Sequence, residues 1–259
     1  MALKLHVSRS GAGPPVVLLH GLFGAGGNLG ALARALQDRF EVCSVDLPNH
    51  GRSGWSPQTD LAGMALHLLE WMDDQAYNAA AFVGHSLGGK VAMQLALEQP
   101  ARVSALVVAD IAPVAYPPQH DAVFAALEAV ASAQCRSRKA AAELMHEYLE
   151  ESELIQFLLT SLQRDPEGIY RWRFNLDGIK TGYHALRSAP VFGQAYDGPT
   201  LFIKGGESGY IQEQHRALIL NMFPLARVKV MPECGHWLHA QQPRLFNGIV
   251  NRFLQAQFS

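Results

Sequence analysis

Cysteine is scarce in this chain: its 259 residues contain three, Cys43, Cys135 and Cys234. Their odd number and wide spacing give no disulfide framework and no metal-ligand pattern, so they read as free thiols of a reducing compartment. Charge is scarce as well. Only 17% of residues are charged, and 21 Lys and Arg stand against 23 Asp and Glu, a formal net charge of −2 that offers no electrostatic case for nucleic acid. Every apolar run is too short to span a bilayer, and Met1–Val7 lacks the apolar stretch and cleavage site of a secretory signal. The expectation is a cytoplasmic protein with no membrane segment. Gly24, Gly26 and Gly27 make no phosphate loop, because the lysine such a loop needs is missing and no G-x-G-x-x-G opens a helix there.

What the chain does have is apolar bulk, 49% of residues, arranged in alternating strand-like and helix-like runs. That alternation predicts an α/β fold, a mostly parallel central sheet with helices on both faces. Strands are expected at Leu3–Ser8, Val16–His20, Glu41–Val45, Ala79–Val83, Val103–Ala109, Pro199–Lys204 and Ala226–Met231, and helices at Leu29–Leu36, Leu61–Asp73, Gln212–Met222 and from Arg244. Between Pro113 and Pro190 strand character gives way to helical runs at Phe124–Val130, Lys139–Glu151 and Leu154–Leu162. The expected organisation is a core of residues 1–112 and 191–259, with 113–190 inserted as a helical cap over the carboxyl edge of the sheet.

The most informative string is Gly84-His85-Ser86-Leu87-Gly88, set between an apolar strand and a helical pattern. A serine on so tight a strand-to-helix turn is a nucleophile elbow, with glycines two before and two after to let the backbone fold sharply. A serine hydroxyl is a weak nucleophile, so it needs a base. His236, in the glycine-bearing loop after the last strand, can hang over the sheet edge where Ser86 stands. His239 begins the terminal helix and reads as packing, and His20 and His85 read as scaffold. Two carboxylates compete to orient the base. Asp110 ends the strand next to the elbow strand; Glu207 sits in the turn Gly205-Gly206-Glu207-Ser208, where many proteins of this organisation carry an acid and where Ser208 occupies that slot. Asp110 is preferred, with Ser208 as its hydrogen-bonding helper, and Asp46 reads as fixing a loop. The oxyanion calls for preset amides, expected at Leu87 and at Leu22, with Phe23 next in line. Phe23, Trp172 and Trp237, with Tyr170 and Phe174, are expected near the substrate pocket.

The strings His20-Gly21-Leu22-Phe23-Gly24, Asn49-His50-Gly51-Arg52-Ser53, Gly84-His85-Ser86-Leu87-Gly88-Gly89-Lys90, Asp110-Ile111-Ala112-Pro113, Trp172-Arg173-Phe174-Asn175 and Gly235-His236-Trp237-Leu238-His239-Ala240 together resemble the α/β-hydrolase superfamily over nearly the whole chain, and bacterial esterases within it most of all. That resemblance implies a capped hydrolase of carboxylic esters, with acyl-CoA thioesters as a further substrate class, an acid at Asp110 and a serine at Ser208. It implies no metal and no organic cofactor, and a small-molecule ester or thioester as partner. Two other readings stand beside it: a lyase or carbon–carbon hydrolase of an anionic metabolite, for which Arg164, Arg171 and Arg173 would supply cationic groups, and a non-catalytic small-molecule receptor on the same scaffold.

Overall fold

Why the central strands carry near-continuous apolar runs is clear from the computed structural model, which describes residues 3–191 and 193–258. Met1, Ala2, Phe192 and Ser259 lie outside the described residues, so the reading of the N-terminus and the core ranges is followed only over the remainder. Strand β1 (Val7–Ser10) leads to β2 (Pro15–Leu19), helix α1 (Gly30–Leu36), β3 (Glu41–Val45), helix α2 (Leu61–Asp74), β4 (Ala80–His85), helix α3 (Leu87–Glu98) and β5 (Val103–Ala109). Then come α4 (Asp121–Ala133), α5 (Arg138–Met145), α6 (Ser152–Leu159), the short strands β6 (Leu162–Arg164) and β7 (Tyr170–Trp172), and α7 (Leu176–Leu186). The chain closes with β8 (Thr200–Gly205), α8 (Arg216–Met222), β9 (Ala226–Met231), α9 (Leu238–Gln241) and α10 (Pro243–Gln255).

Among the described residues the main sheet has seven strands in the order β1-β3-β2-β4-β5-β8-β9, with only β1 antiparallel to its neighbour. Both faces are covered. Val17, Leu19, Phe82, Leu106 and Val108 pack into the layer that holds α2 and α3, while Val16, Leu18, Ala81, Val83 and Val107 pack into the layer that holds α1 and α10. Period-two alternation therefore sends apolar side chains both ways, and no polar face is needed. Trimming a fully buried side chain such as Phe82 to alanine would cost about 3–5 kcal/mol.

Because β2 to β5, β8 and β9 run parallel, their carboxyl ends, Leu19, Val45, His85, Ala109, Gly205 and Met231, meet at one edge of the sheet. The loops that follow them, including Ser86, Asp110 and His236, gather there, where open α/β sheets keep their ligand crevice.

Several expected elements shift. Strand β1 begins at Val7 instead of Leu3, because the Lys4 and His6 carbonyls accept from Gly54 and Asp46 in the loop after β3. Helix α5 stops at Met145, after which the amides of Tyr148 and Leu149 turn back onto the Met145 carbonyl. Helix α6 stops at Leu159, and Leu162 already belongs to a hairpin. Helix α7, capped by the Asn175 side chain on the Gly178 amide, was not expected. Its Gly182 removes helix propensity but allows close approach, since a Cβ there would lie 2.4 Å from Thr59.

Candidate active site

Between β4 and α3 the chain turns through a single residue. Ser86 has φ 51° and ψ −116°, a conformation costly for a residue with a Cβ, and its amide donates to the Ala109 carbonyl at 3.0 Å. The flanking glycines are required by contact. A Cβ on Gly84 would stand 2.2 Å from the Gly88 carbonyl oxygen, and one on Gly88 would stand 2.3 Å from that of Leu19.

The three distant stretches converge on this turn. His236 Nε2 lies 3.0 Å from Ser86 Oγ, and its Nδ1 lies 2.8 Å from Asp110 Oδ2. With Nδ1–H donating to the carboxylate, Nε2 is left to accept the serine proton. Asp110 is wholly buried, and its charge is met by three donors: His236, the Gly205 amide on Oδ1 at 2.9 Å, and the Ser208 hydroxyl on Oδ2. Glu207, the rival acid, is exposed, and its backbone amide binds the Cys234 carbonyl. Tyr210, absent from the expected set, stacks on His236 with centroids 4.1 Å apart, and its carbonyl accepts from Tyr116.

The other histidines differ in surroundings. His85 Nε2 bonds the His236 carbonyl at 2.9 Å, fixing the loop that carries the base, and burial holds its pKa well below the usual histidine value. His239 packs 4.3 Å from His85; burial and the nearby His236 push it down to about 4. His20 takes the Leu47 amide at 3.0 Å, and His50, pushed down to about 3 by burial, packs beside it. Asp46 accepts from the amides of Gly26 and Arg52, fixing the loop between them.

A cavity of about 60 Å³ opens on Ser86. Leu22 and Leu87 line it beside the serine, and Leu87, as the first residue of α3, has one of the amides a helix start leaves unpaired. Ile111, Leu186 and Tyr183 supply further apolar wall. Three expected pocket residues take other places. Phe23 (φ 62°) turns its ring into a buried cluster with Phe124 and Phe174. Trp172 stacks on Phe174 and donates to the Leu127 carbonyl, among residues of the segment between β5 and β8. Trp237, 5.8 Å from His236 by centroid, packs on Phe157 along a separate surface groove. The arginines considered for an anionic substrate also lie elsewhere: Arg171 pairs with Asp165, Arg173 donates to the Thr160 carbonyl, and Arg164 to that of Gly168. Lys90 and Arg187 line the cavity instead, with Lys90 Nζ held by the Arg187 and Ser188 carbonyls at 2.8 and 2.6 Å.

Among the described residues no cluster of His, Cys, Asp or Glu is placed to hold a metal ion, and no helix is long and apolar enough to cross a membrane. The alpha/beta hydrolase family model matches residues 16–249. The chain belongs to the α/β-hydrolase family. It is 41% identical over 242 residues to esterase YbfF of Escherichia coli (strain K12), covering 93% of this chain and 92% of that one. It is 38% identical to the sn-1-specific diacylglycerol lipase ABHD11 of Mus musculus, over 93% of this chain and 81% of the relative. A solved structure titled "Marine microorganism esterase" superposes with a TM-score of 0.94 at 35% identity, covering 97% of this chain and 99% of that one. These relatives of the α/β-hydrolase family are named esterases and lipases, the class of carboxylic ester hydrolases.

Proposed function

We propose that the protein hydrolyses small carboxylic esters through a covalent acyl-enzyme, with Ser86 as nucleophile, His236 as base and Asp110 as acid. The observation that carries this reading is the unbroken hydrogen-bond chain from Ser86 Oγ through His236 to a buried carboxylate. His236 Nε2 takes the serine proton as Oγ attacks the ester carbonyl, and the amides of Leu22 and Leu87 receive the oxyanion. Collapse of the intermediate expels the alcohol, which takes its proton from His236. Water then enters, gives a proton to the same nitrogen and releases the acid, returning Ser86. Ser208 holds Asp110 in the rotamer that faces the imidazole.

Residues 113–190 act as the cap in this reading, since Tyr116, His120, Tyr183, Leu186 and Arg187 all wall the cavity above Ser86. An uncharged acyl group suits it best. The wall is mostly aliphatic and tyrosine, and its Lys90 and Arg187 side chains are held by backbone carbonyls. Acyl-CoA thioesters undergo the same chemistry and form the second substrate class of this proposal. The test is a graded series of acyl esters and CoA thioesters. A burst of alcohol release is expected, abolished in Ser86→Ala, with kcat down about 10⁴-fold or more in Ser86→Ala and His236→Ala. Turnover within tenfold of wild type in either variant would overturn the assignment.

A further inference from the structure

Away from the Ser86 cavity, Arg52, Arg138, Arg164 and Arg173 line one groove, with Tyr170 among them and no carboxylate in its wall. They come from four separate places: the loop after β3, the first turn of α5, the end of β6 and the residue after β7. Among the described residues none of the four is ion-paired, although their neighbour Arg171 is bonded to Asp165 at 2.6 Å. In a chain with net charge −2, four unneutralised guanidinium groups around one opening repel one another, a cost that an anionic occupant would offset.

Three of the four groups are also held in place. Arg138 donates to the Leu162 carbonyl at 3.0 Å, Arg164 to that of Gly168 at 3.4 Å and Arg173 to that of Thr160 at 3.0 Å. Each such tether uses one of the five N–H donors of a guanidinium and leaves the others for a ligand. Arg173 Nε is buried and has no hydrogen-bond partner, so its guanidinium is not fully satisfied within the protein. Each oxygen of Asp46 and Asp165, the acids near these arginines in sequence, already accepts one hydrogen bond, from the Gly26 and Arg52 amides and from Ile169 and Arg171, and neither acid is ion-paired with the four.

We propose that this groove is a binding site for a phosphate-bearing anion. Forked guanidinium donors match the tetrahedral oxygens of a phosphoryl group, and four positive charges suit a dianion or pyrophosphate better than a single carboxylate. The site spans both parts of the fold, Arg52 from the loop after β3 and the other three from the segment between β5 and β8, so an occupant would clamp one to the other. Ser161, between Thr160 and Leu162 in the groove wall, donates to the Phe23 carbonyl at 2.7 Å. The proposal does not depend on ester hydrolysis.

Inorganic pyrophosphate is the probe for a soluble phosphoester, and phosphatidylcholine vesicles with and without phosphatidic acid are the probe for a lipid headgroup. Calorimetry and co-sedimentation on the full chain are compared among wild type, Arg138→Gln/Arg164→Gln, the exposed single change Arg164→Gln, and Arg171→Gln as control. Wild type and Arg171→Gln are expected to bind pyrophosphate and warm in melting temperature with it, while the double variant loses about tenfold or more in affinity and keeps its hydrolysis of a neutral ester. Binding to phosphatidic acid vesicles that pyrophosphate displaces assigns the headgroup as the source, and binding of pyrophosphate alone assigns a soluble ligand. Absence of binding to both probes in wild type, or equal affinity in wild type and both groove variants, overturns the site. Should the double variant fold poorly, Arg164→Gln decides.

Discussion

Replacing Asp110 by asparagine changes almost no volume and reverses the hydrogen bonds at one oxygen only, which makes its consequence calculable. The carboxylate accepts from the Gly205 amide on Oδ1 and from His236 Nδ1 and Ser208 on Oδ2. An asparagine that keeps its oxygen toward Gly205 must turn its NH₂ toward His236. The imidazole then has to accept at Nδ1 and carry its proton on Nε2, the nitrogen 3.0 Å from Ser86 Oγ. A ring in that tautomer cannot take the serine proton, and the imidazolium formed in the reaction loses its counter-charge. Loss of the correct tautomer costs about 10³–10⁴ in kcat, or ~4–5.5 kcal/mol of transition-state stabilisation. Steady-state hydrolysis of a short chromogenic ester, with circular dichroism melting to show that the variant is folded, measures it. A fall of less than about tenfold in folded Asp110→Asn, or a larger fall in Glu207→Gln, would refute the assignment of the acid.

His239→Ala should keep kcat within about threefold while lowering stability by about 1 kcal/mol for the part-buried side chain lost, because His239 packs on His85 and not on Ser86; kinetics and denaturant melts on one sample separate the two effects. Gly88→Ala should cost more than the ~1–3 kcal/mol of ordinary overpacking, since the new Cβ would meet the Leu19 and His20 carbonyl oxygens at 2.3 and 2.7 Å; a chemical denaturation midpoint like wild type would contradict it. Burial, with Arg187 adding, pushes Lys90 down from 10.5 to about 7. Between those values the unfolded chain holds a proton that the folded chain has released, so wild-type stability should rise with pH relative to Lys90→Met across that window. A difference in unfolding free energy that stays flat or falls from about pH 7 to about pH 9 would count against it.

How far the site could be read from sequence depends on how local each signal is. The elbow was legible because Gly84 and Gly88 stand at fixed offsets from Ser86 and the turn has no room for a Cβ at either. Asp110 and His236 were legible because each follows a parallel strand, and parallel pairing delivers all such ends to one edge. The cavity wall was not. Tyr116, Tyr183 and Arg187 reach the cavity through the packing of the inserted segment, which no spacing in the chain encodes. Phe23 shows the opposite failure. Its neighbour Leu22 lines the cavity, but a positive φ at Phe23 swings the next side chain into the core with Phe124 and Phe174. The hairpin of β6 and β7 offers three residues per strand, too few for a period-two pattern, and α7 was obscured by Gly178 and Gly182.

The central claim is that one imidazole activates the Ser86 hydroxyl. Labelling with a fluorophosphonate, followed by mass spectrometry of the digested protein, tests it most directly. One adduct per chain is predicted, on the peptide containing Ser86, absent in Ser86→Ala and slowed by orders of magnitude in His236→Ala. An unlabelled wild-type protein, or an adduct on a different residue, would contradict the account.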